Sequence, residues 1–360
     1  MIIKILTSQR KISRTFNDFH PIYRWNKKLR ENHLFIKFFK NHKNLESGDV
    51  LIIDYRYVRS STVGLSEKSR MSFTINLFKK ERKNFNTLIF FDSGDSTGSR
   101  CFSLINYVDV FWKKQVLKDK DEYLKDKGLK NWQCWLPDNL NSFDQNYDKP
   151  SKKDLKKIKI AWNISLCGYY DTNNLVQAFL ANSKFSSLFL NSKFNSAFKY
   201  GHLLTSYRVS FNKQVQLKER YNYQRKKIKN ILLSMSSNHN IKCEGKLPKK
   251  KYLEEIKKSK VIISPYGHGE ICYRDFEAIV NGSLLIKPNV NHLETFPNLF
   301  IENVTYVPIN WDGSNLEGIL KKIENNPNEY LEIVEKAQSL FRESIESPYP
   351  FIKHLKNILS

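Results

Sequence analysis

The sequence lacks any run of about 18 apolar residues, so it predicts no membrane-spanning helix. Cysteine is scarce. The five present (Cys101, Cys134, Cys167, Cys243, Cys272) are widely spaced, and none stands in CxxC or Cys/His ligand spacing. That argues against a disulfide scaffold and a zinc ribbon and predicts free thiols in a reducing compartment. The N-terminal stretch is a short apolar strand followed by charge, without the basic–apolar–small order of a secretory leader, so none is expected. No internal repeat or low-complexity tract stands out. Acidic residues are outnumbered, 36 against 60 Lys and Arg, giving a net charge of +24. Three readings of that charge compete: a lysine-rich composition without purpose, a surface held near anionic lipid, or nucleic-acid binding. The lysines are scattered in short groups such as Lys152-Lys153 and Lys249 to Lys251, and no DNA- or RNA-binding motif accompanies them. Scattered charge reads as a solvated surface, so no specific nucleic-acid partner is expected.

What is present is an alternation of strand and helix signals. Ile2–Leu6, Asp49–Asp54, Thr87–Phe91 and Tyr107–Phe111 are apolar runs of buried-strand type, and the segments 20–40 and 64–84 look helical. Residues 138–157 are polar and rich in Asn and Asp, the best linker candidate, and Ile158–Trp162 is read as the strand opening a second unit. An irregular stretch (170–212), a basic helix (214–236), a strand near Asn240–Cys243 and a helix at 249–258 follow. A strand at Thr305–Ile309 and helices near 314–325, 327–344 and 348–359 complete the chain. Strands separated by helix-length segments predict an α/β fold of two doubly wound Rossmann-like domains facing a cleft. The expected division is residues 1–150, 151–345, and a C-terminal helix 346–360 packing back on the first domain. A dinucleotide-binding fold would place GxGxxG after its first strand, yet TSQRK and NISLCG stand there.

The most informative segment is 260–288, KVIISPYGHGEICYRDFEAIVNGSLLIKP. Val261–Ile263 form a short strand, Gly267-His268-Gly269 a tight turn with free N–H groups, and a helix is expected from about Glu270 to a cap at Asn281-Gly282. On such a helix Cys272, Phe276, Ile279 and Val280 share an apolar face, and Glu270, Arg274 and Glu277 the opposite one. A glycine turn at a helix N-terminus favours anions. A plain exposed ion pair between Glu270 and Arg274 is the bland alternative. Asp92 and Asp95 stand at the carboxyl end of a strand, where open α/β sheets bind ligands. Each suits a general base or, equally, a turn or helix cap. Lys113, Lys114 and Gln115 are expected along the cleft, and His292 either contacts ligand or caps Glu294.

Residues 264–288, with Glu277-Ala278 before Asn281-Gly282, and residues 91–115 resemble bacterial GT-B-fold glycosyltransferases of the family 1 type found in polysaccharide biosynthesis. Six residues separate Glu270 from Glu277, where many retaining members have seven. The resemblance implies transfer of a sugar from a nucleotide-sugar donor to a saccharide or lipid-linked saccharide, without a metal or other cofactor. With such chemistry, donor binding is expected of Gly267, His268, Gly269, Glu270, Arg274, Glu277, Lys287 and Arg208, with Tyr207 nearby, and catalysis of Asp92 or Asp95. Glu277 would hold the ribose, and Arg274 and Lys287 would neutralise leaving-group charge. A cytoplasmic protein, peripheral on the anionic inner membrane face, is the matching expectation. Two alternatives stay open: a basic nucleic-acid-binding protein, and a non-catalytic binder of sugar nucleotides on the same fold.

Overall fold

The computed structural model describes residues 1–8, 18–125, 149–167, 194–198, 203–209, 215–237 and 239–359. Among the described residues the first part holds β1 (Ile2–Leu6), β2 (Phe35–Phe39), β3 (Gly48–Asp54), β4 (Phe85–Asp92), β5 (Val110–Lys113), β6 (Gln115–Leu117) and β7 (Ile158–Ile160). The second part holds β8 (Leu203–Ser206), β9 (Ile241–Lys242), β10 (Ser259–Ile263), β11 (Leu284–Pro288), β12 (Leu293–Thr295) and β13 (Val307–Ile309). Two all-parallel sheets result, ordered β2-β1-β3-β4-β5-β7 and β13-β11-β10-β8-β9. Read from its edge strand β9, the second repeats the strand order 2-1-3-4-5 of the first. Each sheet therefore has a topological switch point beside its first strand, the place where doubly wound folds bind ligands.

The local reasons are plain. VLIID in β3 and LIFFD in β4 are buried residue after residue, as strands covered by helices on both faces must be. Their polar ends, Asp54 and Asp92, emerge at the carboxyl edge of the sheet. The helices are α1 (His20–Arg24), α2 (Asn26–Glu31), α3 (Tyr55–Ser61), α4 (Glu67–Glu81), α5 (Val215–Met235), α6 (Lys249–Lys257), α7 (Tyr273–Val280), α8 (Leu316–Asn325), α9 (Leu331–Glu346) and α10 (Pro348–Leu359). Ser66 caps α4 through the Ser69 amide, and α7 ends at Asn281 with Gly282 at φ +73°.

Three expectations are corrected. The segment 20–40 is not one helix: α2 ends at Asn32-His33, His33 turns at φ 62°, and the aromatic, β-branched FIKFF becomes the edge strand β2. The strand at 158–160 does not open the second sheet. It pairs parallel with β5, Phe111 opposite Ile158, and so completes the first sheet. The stretch expected to be irregular contains β8, which pairs with β10 and β9 in the second sheet.

The two parts are tied at several points. β6 and β12 form an antiparallel pair with Thr295 opposite Gln115. The Asn163 side chain donates to Thr295 Oγ1 at 2.9 Å and to the Pro297 carbonyl at 2.9 Å. One apolar cluster runs from Ile3 and Trp162 of the first sheet to Phe276 and Phe341 of the second part. Helix α10 lies on first-part residues: Phe351 meets Trp25 and Trp162 at 5.2 and 5.3 Å between ring centroids, and His354 bonds the Ala161 carbonyl.

Candidate functional site

Both sheets turn their carboxyl ends toward one another, and the loops 92–98 and 264–272 meet there. A Cβ on Gly269 would lie 1.4 Å from the Asp95 carbonyl oxygen, so only glycine permits the approach. Glu270, fully buried, reaches across: its carboxylate accepts from Thr97 Oγ1 at 2.6 Å and from the Thr97 amide at 3.2 Å. Burial raises its pKa, with the Thr97 bonds opposing.

This geometry revises the sequence reading of the glycine turn. Helix α7 starts at Tyr273, with Cys272 as N-cap and Asp275 closing a capping box, so Glu270 lies before the helix and does not share a face with Arg274 and Glu277. The Gly267 amide donates to the Gly269 carbonyl at 2.9 Å, and the Glu270 amide is turned to its own carboxylate. The Gly267 N–H, one of the three expected to cradle phosphate, is therefore engaged. His268 is exposed in a cavity and Gly267 half-buried. Lys287, expected to meet leaving-group charge, is fully buried. It gives its ammonium to Asp275 at 2.6 Å and to the Glu270 carbonyl at 2.9 Å, over the Phe300 ring. In this arrangement Lys287 supports the turn rather than facing the cleft. Asp275 also accepts from Ser264 Oγ and the Cys272 amide.

Arg274 and Glu277 do come together on α7. Glu277 accepts from the Tyr252 hydroxyl of α6 at 2.8 Å, and burial raises its pKa. Burial works against the charge of Arg274, but Cys272, Tyr252, Glu277 and Tyr207 hold its pKa above the ordinary arginine value. Its Nε is buried without a hydrogen-bond partner, an expensive state for a charged donor unless a ligand completes it. Arg208 sits just past β8 at the switch point, where its guanidinium is forked onto Glu255 at 2.9 and 2.9 Å. Tyr207 is buried and donates to the Arg225 carbonyl at 3.0 Å. Arg225 in turn donates through Nε to the Tyr266 carbonyl at 3.2 Å, placing a second guanidinium beside Gly267. Neither Tyr252 nor Arg225 carried a sequence signal; both arrive from helices remote in the chain. His292 packs edge-on against Tyr266.

On the first-domain side Asp92 is 6% exposed, with Oδ2 on Lys113 at 2.9 Å and Oδ1 on the Gly94 amide at 3.1 Å. Asp95 is 40% exposed and meets Lys114 at 3.2 Å. Gln115 donates to the Asp95 carbonyl. The structure thus gathers Lys113, Lys114 and Gln115 as expected, but all three are buried beneath the cleft rather than lining it. It adds Asp18, which binds Lys114 at 2.8 Å and Arg56 at 2.6 Å, and Asp54, which accepts from Thr7 at 2.8 Å and Ser93 at 2.9 Å. Burial first, and the nearby Asp18 second, push Asp54 up to about 6. The strand-end rule that picked Asp92 applies equally to Asp54 and could have found it. Beside Asp92 and Asp95 lies a cavity of about 310 Å³, with Tyr55, Arg59, Arg100 and His268 in its walls. Among the described residues no group of three or more His, Cys, Asp or Glu could hold a metal ion, and no helix is long and apolar enough to cross a membrane.

Comparison with solved structures returns glycosyltransferases of low similarity. An alpha-glucosyltransferase in complex with UDP and a 13-mer DNA containing an HMU base matches with TM-score 0.49 and 9% identity, over 99% of this chain and 98% of that one. The DNA-modifying enzyme beta-glucosyltransferase matches with TM-score 0.49 and 11% identity, over 100% and 99%. HepE of Anabaena in complex with UDP matches with TM-score 0.45 and 10% identity, over 99% of each chain. No family model and no curated protein matches the sequence. With scores and identities this low, a functional reading rests on the residues of the site.

Proposed function

We propose that the protein is a glycosyltransferase of GT-B architecture that uses a nucleotide-sugar donor and a saccharide or lipid-linked saccharide acceptor. The observation that carries the reading is the buried, unpartnered Nε of Arg274 beside Glu277 at the start of α7. A diphosphate would supply the missing acceptor, and Glu277, already held by Tyr252, suits ribose hydroxyls. As the sugar–phosphate C–O bond breaks, its electron pair passes to the nucleotide diphosphate, whose growing charge Arg274 meets. The acceptor oxygen bonds the anomeric carbon, and its proton passes to Asp95, the more accessible of the two candidate carboxylates. In this reading side chains supply the electrostatic role, and no resident metal or cofactor is invoked. A place on the cytoplasmic membrane face and a part in polysaccharide assembly belong to the same proposal, supported by the net charge of +24.

Calorimetric titration with UDP, GDP, TDP and CMP tests the donor half. One nucleotide should bind the wild-type chain, and Arg274→Ala should weaken it about a hundredfold. Absence of binding to all four, or full affinity in Arg274→Ala, would end the reading.

A further inference from the structure

Glu270 is 1% exposed, and both of its carboxylate oxygens are engaged from across the cleft. Thr97 Oγ1 donates to Oε1 at 2.6 Å and the Thr97 amide to Oε2 at 3.2 Å. A sugar lying in the cleft could not reach this carboxylate unless the two rims separated. What Glu270 offers the site is therefore the connection it makes.

Each end of that connection is anchored in its own part of the chain. On the second-domain side the Glu270 carbonyl accepts from Lys287 Nζ at 2.9 Å. The same ammonium lies 2.6 Å from Asp275, the residue after Arg274 on α7. On the first-domain side the Thr97 carbonyl accepts from the Tyr123 hydroxyl at 3.0 Å. The Gly98 carbonyl accepts from Lys113 Nζ at 2.9 Å, and Lys113 also holds Asp92. Earlier in the same loop the Asp95 carbonyl accepts from Gln115 and stands where a Cβ on Gly269 would collide. The Glu270–Thr97 bridge thus joins the turn leading to Arg274 with the loop that carries Asp95.

The chemistry of the bridge calls for a carboxylate. An amide N–H can only donate, so Thr97 presents a donor that needs an acceptor opposite it, and its hydroxyl donates to the other oxygen. Glutamine at 270 would have the same size but would turn its own N–H₂ toward one of these donors. The geometry matters because transfer requires the cation at the leaving phosphate and the base at the acceptor oxygen in one arrangement. An error of about 1 Å in such an arrangement can cost on the order of a hundredfold in rate.

Resting on the glycosyl-transfer reading, we propose that Glu270 is a positioning residue that acts through Thr97. It fixes the loop bearing Asp95 against the turn leading to Arg274, and it does not touch the sugar.

The first test is hydrogen exchange of the full chain. Glu270→Gln and Thr97→Val should each speed exchange in residues 93–99 about tenfold, as loss of a hydrogen bond to a charged group would. The strands β3 and β4 should exchange as in the wild type. Thr97→Ser, which keeps the hydroxyl, should restore slow exchange. Unchanged exchange at 93–99 in Glu270→Gln would overturn the proposal, as would an equal rise through β3 and β4, which would mean general loosening.

The second test uses UDP-glucose as the donor probe. Thr97→Val should lower kcat for UDP release about a hundredfold with KM within about twofold of wild type, and Thr97→Ser should recover it. Full kcat in Thr97→Val would overturn the positioning role. Weaker binding of UDP-glucose than of UDP, appearing in Glu270→Gln and not in Thr97→Val, would put Glu270 on the sugar instead. Failure of the wild type to bind any of the four nucleotides sinks the donor reading, and the exchange result alone then decides whether the bridge holds the loop.

Discussion

The two rims of the cleft treat their charges differently. On the first-domain rim every buried carboxylate is matched within the protein: Asp92 by Lys113, Asp18 by Arg56 and Lys114, Asp54 by two hydroxyls. On the second-domain rim adjacent residues of α7 diverge. Asp275 is saturated by Lys287, Ser264 and the Cys272 amide, whereas Arg274 keeps a buried Nε with no partner. The difference teaches that the first rim closes its charges within the fold, and that the second leaves one buried donor open, the feature on which the proposed donor site rests.

That contrast can be broken in four places. The largest effect is expected at Asp95, the accessible carboxylate of an otherwise closed network. Asp95→Asn should lower turnover by about 10²–10⁴ with donor affinity unchanged; steady-state rates alongside nucleotide calorimetry would show it, and undiminished turnover would remove Asp95 as base. Next is the saturated pair. Lys287→Ala strands the Asp275 carboxylate in a fully buried site and should cost about 3–5 kcal/mol in chemical denaturation. A cost near zero would mean that the pair does not organise the turn.

Asp54 gives the pH signature of the preorganised rim. Its folded pKa of about 6 lies above the unfolded carboxylate value, so the fold holds this proton more tightly than the open chain does. The stability it contributes is present in acid and lost as pH rises through 6. Asp54→Asn should therefore gain about 2 kcal/mol relative to wild type between pH 4 and pH 8. A variant-minus-wild-type difference that is flat across that range would contradict the shift. The smallest effect is expected at Tyr252→Phe, which removes the hydroxyl holding Glu277 and should weaken nucleotide affinity about fivefold, as one hydrogen bond of about 1 kcal/mol would.

Much of the architecture was legible in the sequence. Continuous apolar runs located β1, β3, β4 and β10, and the Asn281-Gly282 pair marked the end of α7. Three strands were misread. FIKFF of β2 was absorbed into a helical pattern, and LLTS of β8 is too brief to rise above its surroundings. IKI of β7 was assigned to the wrong sheet because pairing partners are not written in a strand's own residues. In the site, strand ends and the glycine turn pointed to Asp92, Asp95, Arg274 and Glu277. Spacing alone placed Glu270 on the helix with Arg274, whereas the turn runs on to Cys272 before the helix begins.

The sequence by itself determined that the chain would build parallel α/β layers with polar residues at the strand ends, because apolar runs and turn residues act through local geometry and burial. Which charges neutralise one another was decided only by tertiary structure. Asp275 and Lys287, Glu270 and Thr97, and Arg208 and Glu255 are separated by 12, 173 and 47 residues. Only the packing of one sheet edge against another decides which cation is consumed inside the fold and which, like Arg274, keeps a buried N–H without a partner.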